Sequence, residues 1–164
     1  MNKIDRNYLE IYSLNDLVES TRPSKEFNVD LIDPPNFQLN KFFYKNIGKN
    51  HKWVDRLAWN ERQWIDYSSS KNVKTYVLKK NNDFVGYFEL NIHQDEIEIA
   101  YLGLLEEYHN KKLGSYLLSI AIKKSFSNKP KRVWVHTCSL DHKNALNNYI
   151  SRGMKVFKKE TITI

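Results

Sequence analysis

The chain predicts an α/β (α+β) fold: one domain over residues 1–164, with a mixed antiparallel and parallel central sheet flanked by helices. Three observations carry this. Apolar runs at 73–79, 84–92 and 97–105 follow one another across two short polar connections, Asn81-Asn82-Asp83 and Gln94-Asp95, as antiparallel hairpins do. The third run leads through a helical pattern, 112–126, to another strand, 133–137, and such a crossover pairs its two strands in parallel. At 164 residues, 41% of them hydrophobic, the chain has enough apolar side chain for one substantial core.

The remaining elements follow from local pattern. Alternation at Tyr8-Leu9-Glu10-Ile11-Tyr12 predicts a strand over 8–12, and Phe27-Asn28-Val29-Asp30-Leu31-Ile32 another over 27–32, closed by Asp33-Pro34-Pro35. Leu39, Phe42, Phe43 and Ile47 recur at helical spacing, and a second short helix starts at Asn60 and carries Trp64 and Tyr67. A last helix spans 142–152, capped by Asp141 and ended by Gly153, before a closing strand over 155–162.

Several classes of function are disfavoured. No apolar run approaches the roughly 20 residues that span a bilayer, and MNKIDRNYLEIYS lacks the apolar centre of a signal peptide, so the expected compartment is the cytoplasm. The single cysteine, Cys138, forms no internal disulfide, and with only His136 and His142 nearby it makes no metal-binding spacing. The formal charge of +7 is spread over scattered lysine pairs such as Lys79–Lys80 and Lys123–Lys124, with no basic stripe to track a nucleic-acid backbone.

The loop 106–115, EEYHNKKLGS, carries the chemistry. It runs from a strand directly into a helix, whose first N–H groups lack intrahelical acceptors and favour an anion around Lys111–Ser115. His109-Asn110-Lys111-Lys112-Leu113-Gly114 resembles the Q/R-x-x-G-x-G/A acetyl-CoA signature of the GNAT (Gcn5-related N-acetyltransferase) superfamily, with His109 at the Gln/Arg position and Lys112 at the first glycine. A second segment, HKNALNNYISRGM, is similar to that family's N-x-x-A-x-x-x-Y-x-x-x-G-F, with Ala145, Tyr149 and Gly153 in register and His142 at the asparagine. FFYKNIGKNHKWVDRLAW, GYFEL, IEIAYLGLL and VWVHTCSLDH resemble one bacterial subgroup of unassigned substrate, so the likeness covers about residues 40 to 158.

The resemblance implies a sheet whose fourth and fifth family strands, here 97–105 and 133–137, splay to admit pantetheine. It implies acetyl-CoA as co-substrate and direct transfer to a primary amine of a small molecule or protein, without metal or covalent enzyme intermediate. The cofactor contacts it assigns are His109, backbone N–H groups of Lys111, Lys112, Leu113, Gly114 and Ser115, the backbone of Leu104, and His142. Tyr149 is the expected general acid, although Ala145, Leu146 and Ile150 beside it also describe an ordinary packing face. Glu98, between Ile97 and Ile99 and read as sharing a face with Ala100 and Leu102, is the candidate base; the same alternation describes a polar position on a half-exposed strand. Glu89 stands in reserve. The acceptor wall falls on the aromatic segment with Phe42, Phe43, Tyr44, Trp53, Trp59 and Trp64, where His51, Arg56 and Arg62 are the polar candidates. A CoA-binding regulator that has lost catalysis is the alternative function, and the oligomeric state, a homodimer included, stays open.

Overall fold

The computed structural model describes residues 3–109 and 112–163. Among them, seven strands form one sheet: β1 (Lys3–Ile11), β2 (Phe27–Leu31), β3 (Val73–Lys80), β4 (Asp83–His93), β5 (Glu96–Leu104), β6 (Arg132–Cys138) and β7 (Lys155–Thr163). Their spatial order is β2-β3-β4-β5-β6-β1-β7, and β5–β6 is the parallel pair. The two N-terminal strands part completely, β2 lying at one edge against β3 while β1 inserts between β6 and β7. Nothing in their local alternation distinguishes an edge from an interior position, because the neighbours come from distant segments.

Helices α1 (Phe37–Gly48) and α2 (Glu61–Ser69) lie on one face, where Phe43 and Ile47 pack with Val77 and Tyr87. α2 starts where its sequence predicts, through a reciprocal capping box between Asn60 and Gln63. The opposite face holds α3 (Leu113–Phe126), with Leu117, Leu118 and Ile122 in a core shared with Leu9, Phe88, Ile97 and Val135. Each such side chain contributes about 1.5–3 kcal/mol on burial. No helix of the described residues is long and apolar enough to cross a membrane.

Two local expectations are corrected. The last helix, α4 (Ala145–Ser151), is shorter than the 142–152 pattern, because Asp141 does not cap it. The carboxylate instead accepts from the Cys138 N–H at 3.0 Å and from the Thr137 hydroxyl, closing the turn after β6. Gly153 does end the helix, at φ +105° and with the Asp16 carbonyl against its backbone. The second correction concerns β5. Glu89 pairs with Tyr101 and Leu90 with Ile99, so Ala100 is an extra, bulged residue. The bulge flips the alternation, so Leu102 and Leu104 join the α3-side core while Tyr101 turns to the α1 side. Glu98 therefore does not share a face with Leu102.

Candidate functional site

The parallel ladder between β5 and β6 is short. It pairs Glu96 with Arg132, Ile97 with Val133 and Glu98 with Trp134, and then the strands diverge. A cavity of about 360 Å³ fills the divergence, lined by residues 99–104 of β5 on one side and by Val135, His136 and Cys138 of β6 on the other. The start of α3 and the inner face of α4 line its wide end together with the loop after α1, whose His51 ring lies 6.5 Å from the rings of His109 and His142. The V-shaped opening thus arises from loss of pairing.

At the α3 end, Lys112 adopts φ +59° and ψ 16°, the left-handed conformation that a glycine takes without cost and that costs an L-residue about 1–2 kcal/mol. The position thus demands the backbone shape of the glycine it replaces. No side chain caps α3, so the first-turn N–H groups of Leu113, Gly114 and Ser115 have no acceptor within the helix. A Cβ built on Gly114 would meet only Asn148 Nδ2 at 3.7 Å and Leu104 Cδ1 at 4.0 Å. These are ordinary contacts, so packing does not require glycine there; the missing side chain keeps the helix start open to the cavity. The residues present therefore fit a phosphate-bearing cofactor. Ser115 donates its hydroxyl to Asn148 Oδ1 at 3.1 Å, tying α3 to α4. Gly114→Val is expected to leave the melting temperature nearly unchanged, since valine is the better helix former by a few tenths of a kcal/mol, and to weaken CoA binding at least about tenfold. Paired calorimetry and thermal melts check this.

His109, Leu104 and His142 all line the cavity, but in one respect the expected contacts differ. The Leu104 carbonyl, expected to face pantetheine, accepts a hydrogen bond from His109 Nε2 at 3.0 Å. His142 accepts the Asn144 N–H on Nδ1 at 3.2 Å, and burial with the neighbouring His109 and His51 lowers its pKa. His51 donates from Nδ1 to the Leu140 carbonyl at 3.3 Å, bridging the cavity mouth. Lys111 lies outside the described residues. Among the described residues no group of three or more His, Cys, Asp or Glu is arranged to hold a metal ion.

Tyr149 lies in the cavity wall on α4, buried, and its hydroxyl has no hydrogen-bond partner among the described residues. Burial and the nearby Asp141 charge push its pKa far up, so it stands as a neutral donor. Cys138 also lines the cavity, yet burial and Asp141 raise its thiol, which argues against a thiolate nucleophile.

The two candidate bases are placed differently from expectation. Glu98 belongs to the last paired row, at the closed end of the opening, is not among the cavity-lining residues, and accepts from His93 Nε2 at 3.1 Å. Glu89 is 0% exposed. Its oxygens accept from Arg56 Nη1 at 2.9 Å, the Tyr67 hydroxyl at 2.7 Å and Asn40 Nδ2 at 2.8 Å, and it is not among the cavity-lining residues, so it is out of a substrate's reach. Arg56, expected to choose the acceptor, is the buried partner of that carboxylate, its guanidinium 4.0 Å from the centre of the Tyr67 ring, 4.4 Å from Tyr101 and 4.8 Å from Trp59. Burial alone would lower its pKa; the Glu89 charge overrides that and holds it raised. Arg62 is exposed and paired with Asp66 along α2. Of the aromatics, Phe43, Tyr44 and Trp64 are core, Phe42 is 40% exposed, and Trp53 lines the cavity. Sequence reading missed Asp55, Tyr101 and His136, all of which line it. Their signal lay in position, since Asp55 adjoins the anchored Arg56 and His136 stands two residues beyond Trp134, the last residue of β6 paired with β5.

A mixed sheet thus opens between its two parallel strands, with an uncapped helix start at one end of the opening and the Tyr149 phenol in its wall. Residues 35–154 match the acetyltransferase (GNAT) family, and the chain belongs to it. Enzymes of this family use acetyl-CoA and an acceptor substrate. No curated protein matches the sequence. Among solved structures, the chain is similar to a GCN5-related N-acetyltransferase from Kribbella flavida, with a TM-score of 0.70 and 12% identity over 96% of this chain and 56% of that one. It is also similar to an aminoglycoside acetyltransferase from an uncultured soil metagenomic sample, in complex with trehalose, with a TM-score of 0.67 and 12% identity over 80% of this chain and 90% of that one. The ribosomal-protein-S18-alanine N-acetyltransferase from Escherichia coli gives a TM-score of 0.60 and 13% identity over 77% and 76% of the two chains. At these identities the likeness is one of fold. The chain spans little more than half the length of the Kribbella protein.

Proposed function

We propose that the protein is an acetyl-CoA-dependent N-acetyltransferase that passes the acetyl group directly to a primary amine, in the cytoplasm and without a metal. One observation supports this above the rest: the cavity joins the open start of α3 at one end to the unpartnered Tyr149 hydroxyl in its wall.

The backbone N–H groups of Leu113, Gly114 and Ser115 hold the pyrophosphate of CoA, with Lys111 and Lys112 adding positive charge. Residues 99–104 line the channel for pantetheine. Acetyl-CoA supplies an activated acyl group as a thioester. Tyr149 gives its proton to the departing thiolate as charge develops there. The raised Cys138 thiol fits a transfer with no acyl-cysteine stage.

Thermal melts with CoA and with dephosphorylated pantetheine test the cofactor site. Binding to the native state alone adds about 2.7 kcal/mol at a hundredfold excess over the dissociation constant, and pantetheine without phosphates should stabilise far less. No shift with saturating CoA overturns the reading. CoA binding without acetyl transfer to any of a broad panel of primary amines would assign the protein to the regulatory alternative.

A further inference from the structure

We propose that His136 is the catalytic base for the acceptor and that Asp55 receives the acceptor's ammonium, so that the acceptor enters as a cationic amine between the two. This rests on the acetyl-transfer reading and names the acceptor chemistry of that same cavity.

Topology singles out His136. The parallel pairing ends at Glu98 and Trp134, and His136 is the next residue of β6 on the same face, the first to project past the closed end. Its ring nitrogens have no hydrogen-bond partner among the described residues. The other three cavity histidines each commit one nitrogen to the backbone, His51 to the Leu140 carbonyl, His109 to the Leu104 carbonyl and His142 to the Asn144 N–H. The carboxylates nearby are committed elsewhere: Glu89 is buried among three donors and lies outside the cavity lining, as does Glu98, and Asp141 is taken up by Thr137 and Cys138.

The charged groups around the ring suit a base. Burial and Arg6 of β1 hold the His136 pKa below the usual histidine value, keeping the imidazole neutral at neutral pH. Glu98 of β5, Asp141 of the turn after β6 and Asp55 of the α1–α2 loop oppose them and favour the imidazolium once it forms. The Tyr8 ring of β1 packs 5.6 Å from the imidazole centre. Asp55 itself is exposed, lines the cavity and makes no ion pair or hydrogen bond among the described residues. It is nevertheless held in place, because the next residue, Arg56, is anchored by Glu89 through its side chain and by the Tyr44 hydroxyl through its N–H at 3.0 Å.

The ammonium gives one proton to His136, which passes it to solvent. The freed nitrogen lone pair forms the C–N bond at the thioester carbonyl, and the C–S bond breaks with its electron pair going to sulfur. Tyr149 protonates that thiolate and recovers its proton from the nitrogen, which keeps its third proton as the amide N–H.

The test is the pH dependence of kcat/KM for acetyl transfer to a panel of primary alkylamines and diamines, in wild type, His136→Gln and Asp55→Asn, with histidine-ring NMR titration alongside. Wild type should show an acidic limb below pH 6.5, and His136→Gln should lose about 10²- to 10⁴-fold at neutral pH, its limb moving up to the amine's own pKa. Asp55→Asn should raise the acceptor KM about tenfold and leave that of acetyl-CoA alone, since one charge-assisted hydrogen bond is lost. By NMR the same change should lower the His136 pKa further. A wild type that binds CoA but acetylates no amine removes the acetyl-transfer reading and this role with it. An active wild type whose acidic limb survives His136→Gln, or a His136 titration indifferent to Asp55→Asn, overturns the role alone.

Discussion

Tyr149→Phe is expected to lower kcat about tenfold to a thousandfold while CoA affinity and thermal stability stay close to wild type. A positioned proton donor contributes typically 10²–10⁴-fold, and a thiolate leaves readily without help, which moves the expectation toward the lower end. The substitution isolates that one function. The ring stays in the wall it shares with Ala145 and Leu146, and the lost hydroxyl leaves no protein group behind unsatisfied, because it has no partner among the described residues. Burial holds the phenol protonated across the assay range, so Tyr149 adds no alkaline limb in wild type. Steady-state kinetics with a responsive amine, together with CoA titration, checks this; a mutant with normal turnover would return Tyr149 to the core.

Arg56→Met is expected to cost about 3–5 kcal/mol, because it strands the Glu89 carboxylate in a site from which water is excluded. For a domain of this size that is a fall in melting temperature of roughly 6–20 °C. Pairing the change with Glu89→Gln should recover part of the loss, since the stranded charge is then gone, and the two costs should not add. Denaturant and thermal melts of the two single variants and the double variant measure this coupling. A loss below about 1 kcal/mol for Arg56→Met would mean that the ion pair does not hold the α1–α2 loop.

Much was legible in the chain because it is written in near neighbours. The hairpins β3–β4–β5, the capping box at Asn60, the start of α3 and the glycine that ends α4 each depend on residues within a few positions, and all stand where their patterns put them. The two separate motifs that drew attention to Gly114 and to Tyr149, 35 positions apart in sequence, meet at one cavity, because a strand–helix–strand crossover and its following helix return to the same end of the sheet.

What the tertiary structure decided is where side chains point and what they meet. A single bulged residue, Ala100, reversed the alternation of β5, and the end of pairing at Glu98 left that carboxylate outside the opening while exposing His136 to it. Glu89 looked like a base and Arg56 like a selector of substrate, yet 33 positions apart they neutralise each other inside an aromatic shell. An isolated charged residue reads alike in sequence whether its partner is substrate, solvent or a distant side chain. Only long-range packing sets the desolvation and the partner, and those two terms determine whether a charge is free to do chemistry.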